Sequence, residues 1–146
     1  MRAPRKSRFL ADNTGATAVE FALVVGPLVL LIFGAIEVSR LMWAREALQS
    51  TAIAGARCMG IREIACAPGG TYNATSTKTF VRDWASGLYV TVPAANITLS
   101  NAATCSGASG FSSVTITYRF ESVVALLLEA IDLKNLTATA CFPNQA

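Results

Sequence analysis

The chain has 146 residues, of which 53% are apolar and 14% charged, with a formal net charge of +3. That length leaves room for one domain at most. The charge excess is confined to the N-terminal tail, where Arg2, Arg5, Lys6 and Arg8 face Asp12, and the remaining charges cancel. No basic surface is left to suggest nucleic acid as a partner.

Residues 1–14 read as a short basic tail. From residue 16 to residue 36 the only charged side chain is Glu20, and residues 21–36 carry none. A helix of this length spans roughly 30 Å, about the hydrocarbon core of a bilayer. The basic tail should remain cytoplasmic and put the C-terminal part outside. A secretory signal peptide shares the basic and apolar regions. Here the apolar run is longer, and Glu37-Val38-Ser39-Arg40-Leu41-Met42-Trp43 follows it without a small-x-small cleavage site. The expected segment is therefore an anchor.

The helical period continues beyond the span. Val38, Leu41, Leu48 and Ala52 extend an apolar stripe, and Ala44, Ala47, Ala52, Ala54, Gly55 and Ala56 enrich it in small residues. Such a surface suits close helix contacts, including contacts with partners, and equally suits ordinary helix. The helix is expected to start at residues 14–17 and end at residues 57–60. Pro27 removes one backbone donor and frees the carbonyl of Leu23, so a kink or a loosened turn is expected there.

A loop over residues 62–74 centres on Pro68-Gly69-Gly70. A short helix over residues 76–86 should follow, with Phe80, Trp84 and Leu88 as its core face and Gly87 at its C′ position. The period then changes to two. Residues 89–92 form a short extended piece. Ile97 and Leu99, then Val114, Ile116, Tyr118 and Phe120, then Leu136, Ala138, Ala140 and Phe142 alternate with polar or small residues. Residues 123–128 are apolar but too short to span a bilayer, and read as a buried short helix.

All four cysteines lie on the exported side, where disulfides form. Three pairings are possible. In an antiparallel meander Cys105 and Cys141 fall at the same edge of the sheet, and Cys58 and Cys66 are close in sequence. This favours Cys58–Cys66 with Cys105–Cys141. Each bridge should contribute about 2–4 kcal/mol to a head that is small for a self-sufficient core.

The chain contains no histidine. Ser-His-Asp triads, Cys-His dyads and His-based metal sites are thereby excluded. There is no CxxC, P-loop or GxGxxG motif, and no cofactor is expected. The triplets at Asn73, Asn96 and Asn135 are better explained by chance in a Thr-rich region than as glycosylation acceptors. The expectation is a protein that is not an enzyme.

Gly15, followed by Ala16 and then by Glu20 and Phe21 at the mouth of the span, resembles the cleavage junction of type IV prepilins, and of the Tad class in particular. Gly15, Glu20-Phe21, Pro27 and the later Glu37-x-x-Arg40 occur in register, and residues 12–57 are similar to the N-terminal segment of TadE-like proteins. The Flp-type major pilins are shorter and usually carry Tyr where this chain has Phe21, and TadG-like relatives carry a large extra domain.

The resemblance implies a minor pilin or pseudopilin of a tight-adherence pilus in the bacterial inner membrane. It implies cleavage after Gly15 by a prepilin peptidase, and other Tad pilins and assembly proteins as partners. The implied fold is α+β and pilin-like. Residues 1–15 are a cytoplasmic leader, and residues 16–58 a long helix whose membrane part is about 16–37. Residues 59–146 are an exported head with a short helix and a three- to four-stranded antiparallel sheet. The alternative is a signal-anchored exported binding protein unrelated to pili.

Overall fold

The computed structural model describes residues 15–122 and 135–145. The tail expected at residues 1–14 and the short helix expected at residues 123–128 lie outside the described residues. Helix α1 spans Ala16–Gly60, α2 spans Ala74–Gly87, and strands β1 (Ile97–Cys105), β2 (Ala108–Arg119) and β3 (Asn135–Pro143) follow. The fold is α+β, as the change of period from helical to alternating implies. Two compact units divide between Val38 and Ser39, inside α1.

In the first unit α1 continues as helix through Pro27. Eleven large apolar side chains between residues 19 and 36 are exposed. Burying each would be worth about 1.5–3 kcal/mol, so their sum exceeds the roughly 5–15 kcal/mol that stabilises an ordinary domain. A helix apolar on every side requires an apolar surrounding. By length and composition it is able to cross a membrane.

In the second unit the rest of α1 is the spine of the core. Leu41, Ala44, Ala47, Leu48, Ala52, Ala56 and Met59 are buried with Val81 and Ala85 of α2 and with Ile97, Val114, Ile116, Leu136, Ala138 and Ala140 of the sheet. Thr51 is also fully buried, and its hydroxyl donates to the carbonyl of Ala47 at 2.7 Å. The small residues are what let the elements approach. A Cβ built on Gly55 would lie 2.7 Å from a methyl of Val81 and 3.3 Å from a methyl of Val114. The small-residue face expected to be available to partners is thus largely consumed inside the head, with Ala54 half-buried beside it.

Helix α2 starts at a sequence-encoded cap. The Asn73 side chain accepts from the Ser76 N–H at 3.0 Å, satisfying one of the donors a helix start leaves open. Its buried residues are Thr77, Val81 and Ala85. The expected face of Phe80, Trp84 and Leu88 is therefore displaced by one position. Phe80 and Leu88 are half-buried against the core and Trp84 is exposed, while Val81 takes the place opposite Gly55. The left-handed residue after α2 is Tyr89 (φ 62°) rather than Gly87. The N–H groups of Leu88 and Val90 both donate to the Ala85 carbonyl, and that of Tyr89 donates to the Ser86 carbonyl. Residues 90–92 join no strand, although Val90 and Val92 are buried.

The sheet is antiparallel in the order β1-β2-β3. Register places Ile97 opposite Ile116, Leu99 opposite Val114, Ile116 opposite Ala138 and Tyr118 opposite Leu136, so the apolar sets share one face. On the other face the hydroxyls of Thr115 and Thr139 pair across the strands at 3.1 Å. Ser106 (φ 52°) and Gly107 (φ 85°) make the two-residue turn between β1 and β2, where both positions need positive φ.

Cys58 is bonded to Cys66 and Cys105 to Cys141. The first bridge is fully buried and holds the end of α1 to the start of α2, since the Cys66 carbonyl accepts from the Asn73 N–H at 3.0 Å. The second joins β1 to β3, which flank β2 on opposite sides. Flat strands two places apart would be separated by about 9–10 Å. The observed Cα–Cα distance is 6.5 Å. The pairing of β1 with β2 is irregular between Ser100 and Cys105, so the end of β1 departs from flat geometry. The two cysteines therefore meet at one end of the sheet but belong to its two edge strands.

Gly55→Ala should destabilise the head by about 1–3 kcal/mol through overpacking against Val81 and Val114. Gly87→Ala, whose Cβ would meet nothing within 4 Å, should not. Thermal unfolding of both variants, followed by circular dichroism in detergent, measures this. Equal midpoints would contradict the close-approach account.

Candidate functional site

The sequence singles out the N-terminal junction. Gly15 precedes α1 and is exposed, with nothing within 4 Å of the position a Cβ would take. The helix begins at Ala16. No acidic residue occupies its first turn. Glu20 is exposed and lies one turn beyond Ala16, on the same side of the helix and about 6 Å along its axis. Phe21 follows and is also exposed. The junction thus offers an open peptide bond at a helix start, a carboxylate one turn later and an aromatic ring beside it. A positive charge created at the Ala16 nitrogen would sit at the positive end of the helix dipole, an unfavourable place without an anion close by. Glu20, on this chain or a neighbouring copy, is an anion of the right reach.

Pro27 lies two turns beyond Phe21 and leaves the Leu23 carbonyl without its helical donor. Farther along, Glu37 is buried, at 7% exposure, and like Arg40 is engaged in a polar or ring interaction. The Arg40 guanidinium carbon lies 5.6 Å from the centroid of the Phe120 ring, within cation–π range. The Glu37-x-x-Arg40 motif therefore consists of one buried acid and one guanidinium stacked on an aromatic ring.

Within the head, the cavity lined by Met59, Arg62, Tyr72, Asn101, Ser112 and Asn144 has a volume of about 290 Å³. Two of its polar side chains, Ser112 and Asn144, are already used structurally. The Ser112 hydroxyl donates to the Asn144 side-chain oxygen at 2.5 Å, and the Asn144 amide donates to the Asn101 carbonyl at 2.8 Å. Burial pushes the Tyr72 phenol above its ordinary range, which keeps it neutral. Asn73, one of the three N-x-T asparagines, is the cap of α2, and the carbonyl of Asn96, another, accepts from the Thr117 hydroxyl.

The disulfide residues come together as two pairs, whereas Gly15, Ala16, Glu20 and Phe21 form a linear site on one helix end. Sequence reasoning passed over the aromatic group of Trp43, Tyr89 and Tyr118, which line one groove of the head. Its residues lie far apart in the sequence, with Trp43 alone near the end of the apolar run, and no period links them.

The model of the family described as "TadE-like protein" matches residues 15–57. The match starts at Gly15 and covers the junction, the apolar run and nearly all of α1. No curated protein and no solved structure matches the chain significantly.

Because its Cβ position is open, Gly15→Leu should leave the folding of the head unchanged, with an unfolding midpoint equal to wild type. A lowered midpoint would show that Gly15 has a structural role in the head.

Proposed function

Taking as premise that residues 15–57 are a TadE-like segment, we propose that this chain is a minor pilin, or pseudopilin, of a tight-adherence (Tad) type IV pilus system. It acts in assembly of the pilus or in adhesion, and its role is structural rather than enzymatic. The observation that carries the reading is the coincidence of three boundaries: the family match begins at Gly15, α1 begins at Ala16, and Glu20 stands one turn in, ahead of an uncharged run.

In this reading the chain sits in the bacterial inner membrane with residues 1–15 cytoplasmic and the head periplasmic. The basic residues of the tail support that orientation. A membrane prepilin peptidase cuts after Gly15, where the open glycine peptide offers little obstruction. The cut removes the basic tail and creates an amine at Ala16. When subunits assemble, that amine leaves the cytoplasmic interface and needs a partner. Glu20 of an adjacent copy or of another Tad pilin supplies it, because opposite charges attract strongly where water is scarce. The pairing also fixes the register between neighbouring helices. A carboxylate without a partner is costly inside a bilayer, and the cost grows with its depth. An unmatched register is disfavoured by a cost of that kind.

Two variants in a strain that assembles the pilus test this. Glu20→Ala should remain in the membrane fraction at normal abundance yet fail to support piliation, and normal piliation would refute the role given to Glu20. Gly15→Leu should accumulate at precursor size, and a size equal to the wild-type mature protein would refute cleavage at this junction.

A further inference from the structure

Where α1 enters the head, aromatic side chains gather outside the core. Trp43 is 57% exposed, and its indole N–H donates to the Leu88 carbonyl at 3.1 Å, tying α1 to the loop after α2. The next residue of that loop, Tyr89, is 92% exposed and has φ 62°. A bulky residue in the left-handed region is strained, and the strain is not offset by burial of its ring. Glycine or asparagine would suit that backbone better. With Tyr118, Phe120 and Arg40 these residues line an open groove of about 470 Å³.

We propose that this face of the head is seated in the lipid headgroup layer of the membrane, with Trp43 and Tyr89 as interfacial anchors and Arg40 beside the lipid phosphates. The proposal rests on the reading of α1 as a membrane span. Three observations favour lipid as the occupant. The compact head begins at Ser39, directly after the apolar run in sequence, so no linker separates Arg40 and Trp43 from the span. Trp, Tyr and Arg are the side chains that combine an apolar body with a polar end, as the headgroup region requires. The indole N–H already has its acceptor, so the Trp43 ring can enter the carbonyl level of the bilayer without giving up a hydrogen bond. Another groove of the head, with Ile53, Phe80 and Trp84, lies farther along α1 and on α2, and provides an internal comparison.

The two tryptophans allow a direct measurement with the full-length protein. Trp84→Phe leaves Trp43 as the sole tryptophan, and Trp43→Phe leaves Trp84. Each variant is reconstituted into phosphatidylcholine–phosphatidylglycerol vesicles, either plain or carrying acyl chains brominated close to the glycerol. Failure of the protein to float with the vesicles overturns the reading of α1 as a span, and this inference with it. In vesicles that do carry the protein, Trp43 should lose about half of its emission to the brominated lipid, as expected for a ring at the interface, while Trp84 keeps its own. Equal Trp43 emission in plain and brominated vesicles overturns the proposal, and so does equal quenching of the two tryptophans. Tyr89→Gly, which suits the positive φ, should keep the head folded and weaken the quenching of Trp43. Unchanged quenching would remove Tyr89 from the anchor.

Discussion

One helix of 45 residues has to satisfy two different surroundings, and the rest of the structure follows from how it does so. Up to Ile36 eleven of its large side chains are exposed, and Val25 is half-buried. From Leu41 onward a stripe of small residues is buried, and the head is built around it. The close approach at Gly55 is the clearest case, because Val81 of α2 and Val114 of β2 both reach the space a side chain would fill. The same helix is thus a surface for apolar solvent in its first half and the central core element of a small domain in its second.

A head of this size buries limited apolar surface and depends on reinforcement. The two disulfides act at different ends of that problem. Cys58–Cys66 closes the segment between the two helices and aligns the Asn73 cap with the end of α1. Cys105–Cys141 ties the two edge strands, β1 and β3, together. The exposed edge carbonyl of Thr139 also accepts from the Gln49 side chain, and the Gln145 N–H donates to the Gly60 carbonyl, so α1 is linked to β3 and to the residues after it. These links and the two bridges brace the head from within.

Most of this architecture is legible in the residues. An uncharged run with one acid at its mouth marks the span, alternation from Val114 to Phe120 marks the central strand, and cysteine spacing together with a meander points to the bridges. What escaped has physical causes. The largest side chains of α2 suggest its core face, but Val81 packs at Gly55, Thr77, Val81 and Ala85 are the buried set, and Phe80 and Leu88 pack at the margin of the core with Trp84 exposed. The left-handed position after α2 was assigned to glycine by propensity, whereas the hydrogen bonds from Leu88 and Tyr89 back to Ala85 and Ser86 put it at Tyr89. The Ser106-Gly107 turn carries a hairpin signal in its glycine at a position of positive φ. Small residues on α1 fitted internal and external contacts equally well, and only the packed head decides for the former. The junction at Gly15 was legible as a motif because its chemistry is linear along the chain and needs no tertiary partner within it.

The account turns on the fate of that junction. The most direct measurement is the intact mass and N-terminal peptide of the protein isolated from membranes of its native host. Cleavage after Gly15 predicts a mature chain whose first residue is Ala16, lacking the basic tail. A chain that retains Met1, or one cut beyond the apolar run, would contradict it.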